Sequence, residues 1–180
     1  MKLPSSSTYG FWLAIFRIYA GAFWLMHGIP KFINSAEFMP PNGFMTEFIK
    51  QQIANTSGPY QGFLANVVQP NAAVFAELVR LGEVITGCLL LFGFYTRLGG
   101  LIGVVLALNY LSAKGGLAHL SVWSGLDSAA LVLSALNLVL PTGRVLGVDG
   151  LLWRMRRKPE TEAAVFVEEP PMTGPTAPSA

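Results

Sequence analysis

Residues Ala76 to Gly87 read AELVRLGEVITG and lie inside an apolar run from about Val74 to Phe94. Such a run is long enough to cross a hydrocarbon core of roughly 30 Å, where each ionised group is costly. Glu77, Arg80 and Glu83 are spaced three apart, so on a helix they share an arc of about 120° and form two (i, i+3) pairs. That ladder could neutralise itself and merely permit insertion, yet it leaves one negative charge over. Other apolar stretches hold matching groups: Arg17 and His27 in the first, Asp127 in the last. Ionisable groups inside spans face the bundle interior and mark ligand sites or proton paths, although buried pairs also serve as registry devices.

Depth suggests which of them meet. At ~1.5 Å per residue from the outer surface, His27 and Glu77 fall within roughly 5 Å of it, Asp127 and Arg80 at roughly 7 to 9 Å, and Glu83 and Arg17 at roughly 13 to 18 Å. The expected pairs are therefore His27 with Glu77, Asp127 with Arg80, and Glu83 with Arg17. Arg17, Trp24 and His27 share one face of the first span, and Asp127, Ser134 and Asn137 one face of the last. The expectation is a buried polar column, open to the outside and closed near mid-membrane.

The elements that must position this column follow from composition. The chain has 180 residues, 52% hydrophobic and only 12% charged, with a mean hydropathy of +0.49. Soluble domains carry nearer a quarter charged residues, so the reading is an integral, all-α membrane protein with the lipid bilayer as its first partner. Spans are expected at about 9–29, 74–94, 98–113 and 122–140, forming a four-helix domain over 1–158. An acidic, proline-rich tail, 159–180, has the composition of a disordered segment. The first span is no signal peptide, because Arg17 interrupts it and the apolar run continues past Ala22. Lys2, Arg97, Arg144, Arg154, Arg156, Arg157 and Lys158 flank one side, against Lys31, Lys50 and Lys114 on the other, which places both termini in the cytoplasm. The loop 30–71 then faces outward. Its stretch GFMTEFIKQQIANT has helical periodicity, serving as an ordinary connection or as a lid, with turns at PPNG and SGPY. Trp153 and the bases after it read as an anchor at the inner headgroups.

Several functions are disfavoured. A net charge of +2 gives no reason to expect nucleic acid. The single cysteine, Cys88, excludes an intrachain disulfide or dithiol relay and reads as a buried, inert thiol. His27 and His119 alone make a poor metal site, so none is assigned. No haem-ligand histidine pair, cysteine cluster or nucleotide motif lies in the spans, and no covalently bound cofactor is expected. Gly99 and Gly103 form a GxxxG step continued by Ala107, a device for close packing inside the bundle.

Read in order, RIYAGAFWLMHGIPKF, AELVRLGEVITGCLLLFGFYTRLGGLIG, LNYLSAKGG, the early Asp127 and PTGRVLGVDGLL resemble the DoxX/DoxD family of small four-helix membrane proteins, from Gly10 to about Arg157. The long outer loop and the GEVITG phrasing are closer to the DoxD side, the small subunit of a thiosulfate:quinone oxidoreductase. The resemblance implies a multi-pass protein of the inner (plasma) membrane, working beside a redox partner subunit near the quinone pool. Reducing a quinone needs protons for two carbonyl oxygens and donors for the developing anion. On that reading Arg80 stabilises the oxyanion, Glu77 and Glu83 carry protons, His27 stands at the aqueous mouth and Asp127 orients Arg80. Trp24 forms an aromatic wall and Arg17 completes the ligand-binding set. Quinone would be a substrate, and electrons would arrive from the partner or directly from the reductant. The alternatives are a non-enzymatic scaffold or assembly factor, and then a small-solute or proton transporter, which lacks support from any inverted repeat. A homo-oligomer is compatible with the sequence.

Overall fold

The computed structural model describes residues 6–115 and 124–157, and every regular element among them is helical. His119, the segment 159–180, Lys2, Lys158 and the first two residues of the expected fourth span lie outside the described residues. Three long helices carry the fold: α1 (Ser6–Ile33), α5 (Ala72–Phe92) and α6 (Thr96–Ala113), joined by α7 (Leu126–Val139). Between α1 and α5 come α2 (Ser35–Phe38), α3 (Phe44–Asn55) and α4 (Pro59–Phe63), the last continuing into a π-helical turn, Leu64–Val68. After α7, a 3-10 turn at Thr142–Arg144 leads to α8 (Val148–Arg157).

The first span does not stop before Pro30, as its sequence suggested. Proline removes one N–H and crowds the carbonyl four residues back, which breaks a helix only where later turns depend on that bond. Here it sits in the last turn, and the Pro30 carbonyl still accepts from Asn34 N at 2.9 Å. The extra turn carries Lys31 inside α1, where its charge also complements the C-terminal end of the helix dipole.

α1 packs along α5, α5 against α6, α6 along α7, and α7 returns to α1. The α1–α5 crossing is close because both helices present glycine. A Cβ at Gly21 would lie 2.5 Å from Leu91 N, and one at Gly87 2.6 Å from Leu25 Cγ. Gly99 faces Leu89 and Leu90 of α5, and Gly103 faces Ser134 of α7 and Thr86 of α5, so the GxxxG step packs within the chain. Residues 34–71 form a cap with a core of its own, in which Phe38, Met45, Ile49, Leu64 and Val68 close over Ala76 of α5.

Polarity runs inside out. Arg17, Glu83, Thr86, Ser134 and Asn137 are buried, while Trp12, Phe16, Leu78, Ile85, Leu101, Val105 and Val132 are exposed. A water-soluble protein rarely shows so much contiguous apolar surface, whereas a lipid-facing one must. Two helices, Thr8–Ile33 and Thr96–Ala113, are long and apolar enough to cross a membrane. The described part of α7 is apolar but shorter, and α5 has the length but holds the charged triplet.

The glycine crossing yields a test. Gly21→Val places a branched side chain against backbone that has nowhere to move, and overpacking of this kind costs about 1–3 kcal/mol. Thermal unfolding in one detergent should show a clear drop for Gly21→Val. Gly62→Ala should stay near wild type, since only Asn66 Nδ2 at 3.9 Å approaches its Cβ.

Candidate functional site

Glu83 is 1% exposed and faces α1 and α6 at once. Lys31 Nζ reaches its Oε1 at 2.5 Å and Oε2 at 2.6 Å, and the Tyr110 hydroxyl donates to Oε1 at 2.5 Å. Lys31 Nζ also donates to the Tyr110 oxygen at 3.1 Å and lies 5.4 Å and 5.6 Å from the Phe38 and Tyr110 ring centroids. A carboxylate so far from water is tolerable only if paired and hydrogen-bonded, and both conditions are met here.

A cavity of about 240 Å³ opens beside this trio. Trp24, His27 and Lys31, spaced three and four apart on one face of α1, form one wall, with Glu83 and Tyr110 behind. Phe44 and Phe48 of α3 cover it, and Lys114 and Asp127 stand at its side, paired with each other. Lys114 is about half exposed, so this pair lies where the cavity meets solvent. His27 Nδ1 lies 2.8 Å from the Phe23 carbonyl, so that nitrogen carries the proton and Nε2 is left for another partner. Trp24 is fixed by its indole N–H, which donates to Ser134 Oγ at 3.1 Å.

The three level pairings do not form. Among the described residues Glu83 meets Lys31, Asp127 meets Lys114, and His27 bonds its own helix. The reason is register. Gly28 lies against Val84, Gly87 against Leu25, and Gly21 against Leu91. Counting from Pro30 starts α1 too early, and the first turns of α5 rise into the cap, where Phe75, Ala76 and Val79 pack. Both errors push Arg17 inward relative to Glu83.

Arg17 therefore sits at the end of the bundle away from residues 34–71, fully buried beside Gly93 and Gly147, with Nη2 donating to the Leu146 carbonyl at 2.8 Å. Its Nε and Nη1 have no hydrogen-bond partner. Glu77 and Arg80 pair with each other, as their spacing allows, but neither lines the cavity. Arg80 Nε donates to Glu77 Oε2 at 2.7 Å and Nη1 to Ser35 Oγ at 3.0 Å, while its guanidinium lies 4.5 Å from the Phe32 ring centroid. This is a clamp holding the end of α1 and α2 to α5.

Three groups escaped the sequence reading. A proline at position 30 places Lys31 in the loop on sequence grounds, although Lys31 continues the Trp24–His27 face of α1. Tyr110 extends the Gly103–Ala107 face by one further step. Lys114, the residue that ends α6, was counted only as a flanking charge. Among the described residues no group of three or more His, Cys, Asp or Glu is placed to hold a metal ion.

Removing one member of a buried pair strands the other and costs about 3–5 kcal/mol, whereas replacing both by apolar residues can be nearly neutral. Lys31→Met should therefore destabilise strongly, and Lys31→Met with Glu83→Leu should recover most of the loss. Denaturant unfolding of the four members of this cycle measures the coupling; additive losses would mean the pair contributes no mutual stabilisation.

No curated protein and no solved structure matches the chain. A family model described as the TQO small subunit DoxD matches residues 12–170, nearly its whole length and every helix that builds the cavity. On that match the chain belongs to the DoxD family.

Proposed function

We propose that the chain is a multi-pass subunit of the inner (plasma) membrane, within a thiosulfate:quinone oxidoreductase-like complex, and that the cavity at Glu83 handles a small polar reductant. The family description names a small subunit, which supports a larger redox partner. The inside-out polarity of α1, α5, α6 and α7 supports a four-helix bundle in the bilayer. The excess of Lys and Arg on the side of Arg97, Arg144 and Arg154 supports a cytoplasmic place for both termini.

The observation that carries the site is the convergence of Lys31, Glu83, Tyr110, Lys114 and Asp127 on one small cavity with an aromatic cover. Its volume, about 240 Å³, is below the 300–1,000 Å³ usual for drug-sized ligands, but ample for a polyatomic anion and a few waters. Lys31 and Lys114 are each neutralised by a carboxylate, so an anion enters by exchanging with that carboxylate on an ammonium group, most readily at the half-exposed Lys114. Quinone reduction consumes two protons with two electrons. Glu83 and Asp127 supply carboxylates along a line from the solvent edge to the interior, with the Tyr110 hydroxyl bonded to Glu83. Lys31 and Lys114 are the anion-binding groups, His27 and Trp24 shape the mouth, and Glu77 and Arg80 act through the clamp. Electrons pass through the partner subunit or from the reductant itself.

The test is thiosulfate-dependent quinone reduction in membranes that contain the partner. Glu83→Gln and Lys114→Gln should each lower turnover per folded molecule at least tenfold, with Glu83→Gln also lowering stability because it strands Lys31. Arg80→Ala should lower thermal stability more than turnover per folded molecule. A scaffold would behave otherwise: turnover would track partner recovery alone, and neutralising Glu83 would leave it unchanged.

A further inference from the structure

A second cavity, of about 500 Å³, lies on the other side of Tyr110. α3, α4 and the π-helical turn form one wall, and α5 and α6 the other. Its lining is overwhelmingly apolar, and Leu78, Leu101 and Val105 at its rim are about half exposed. The mouth therefore opens among lipid-facing side chains, whereas the charged cavity meets solvent at Lys114. A ligand entering here comes from the bilayer.

One buried polar side chain interrupts this cavity. Gln52 lines it at 6% exposure, and its Oε1 is buried without a hydrogen-bond partner. At an exposed edge of the same lining the Tyr60 hydroxyl donates to the Asn109 carbonyl at 3.2 Å, and burial pushes the Tyr60 phenol up. An unpaired acceptor in such surroundings costs about 1–3 kcal/mol. The cost is relieved by a ligand that brings a hydroxyl.

We infer that this cavity binds a lipid-borne quinol, its hydroxyl donating to the Gln52 amide and its apolar tail lying between α5 and α6 toward the bilayer. A primary amide suits both redox forms: its oxygen accepts from a quinol hydroxyl, and its NH₂ donates to a quinone carbonyl after rotation about the last side-chain torsion. The volume is within the range for a ring with part of a chain, which the smaller cavity is not. Tyr110 and Phe48 belong to both linings, so a phenol ring and a phenyl ring separate the polar compartment from the apolar one. This inference rests on the redox reading and divides it: reductant at Glu83, quinol at Gln52.

The experiment is photolabelling of the full chain in phosphatidylglycerol/phosphatidylethanolamine nanodiscs with a benzoquinone bearing an aryl azide and a decyl tail. Decyl benzoquinol serves as competitor, and labelled peptides are mapped by mass spectrometry. Label is expected on α3 and α6 segments facing the cavity. Gln52→Leu should weaken quinol competition about tenfold, the equivalent of one hydrogen bond, while raising the unfolding temperature because the orphan acceptor is gone. Gly82→Leu should abolish labelling by filling the cavity, its Cβ pressing only on the flexible Leu106 side chain at 3.2 Å. Unchanged competition in Gln52→Leu would overturn the inference, and so would equal displacement by added phosphatidylglycerol or label confined to α1 and α7. Glu83→Gln separates the two readings. Lost turnover with intact labelling agrees with both; lost turnover without any labelling in wild type sinks the quinol site alone; full turnover with intact labelling sinks the reductant site alone.

Discussion

Glu83 has almost no surface, and the rest of the structure is arranged to keep its charge satisfied. A lone carboxylate at that depth would cost many kcal/mol, so a cation must come to it. Lys31 is that cation, and it reaches Glu83 only because α1 runs one turn beyond Pro30. The pair fixes the α1–α5 register from one end while the Gly21–Leu91 and Gly87–Leu25 contacts fix it along the shaft. Tyr110 brings α6 to the same point, so three helices share one buried ionic junction. The cap is then required as well, since Phe38 lies against the ammonium and Phe44 and Phe48 line the adjoining space.

The helices were readable from the sequence because apolar length and periodicity report on solvent and neighbour together. α3 spans Phe44–Asn55, inside the stretch whose pattern called for a helix, and the Glu77–Arg80 contact follows from spacing alone. Relative depth was not readable. A count from a helix end assumes that every apolar run begins at the lipid surface, yet Phe75, Ala76 and Val79 are apolar because they pack under the cap. Hydropathy cannot tell a lipid neighbour from a protein one. Hence the individual residues Arg17, Glu83 and Asp127 were found as charged groups within spans, while each was assigned the wrong partner.

The two ends of the molecule use charge differently. At the end away from the cap Asp149 accepts from Tyr95 N at 2.8 Å, from Thr96 N at 3.0 Å and from the Thr96 hydroxyl at 2.9 Å, capping α6 from a distant part of the chain. Arg17 closes the same region by donating to Leu146. These contacts consume backbone groups that helix termini would otherwise leave unpaired, and they leave little room for anything else. At the capped end the charges pair side chain with side chain around open volume. Side-chain pairs can be exchanged for ligand contacts without unravelling a helix, and backbone caps cannot.

That difference explains why a compact polar site and a broad apolar cavity can share a single wall. Water must be kept from the apolar side, and a bare charge cannot be left facing it. A tyrosine meets both demands: its ring presents an apolar face to the tail-sized cavity while its hydroxyl ends on the Glu83–Lys31 pair. A phenylalanine would seal the wall equally well but remove one of the donors that make Glu83 tolerable, and a histidine would bring a second titrating group against the ion pair. The choice of side chain at position 110 is thus dictated from both sides at once, by hydrocarbon on one and by a buried carboxylate on the other.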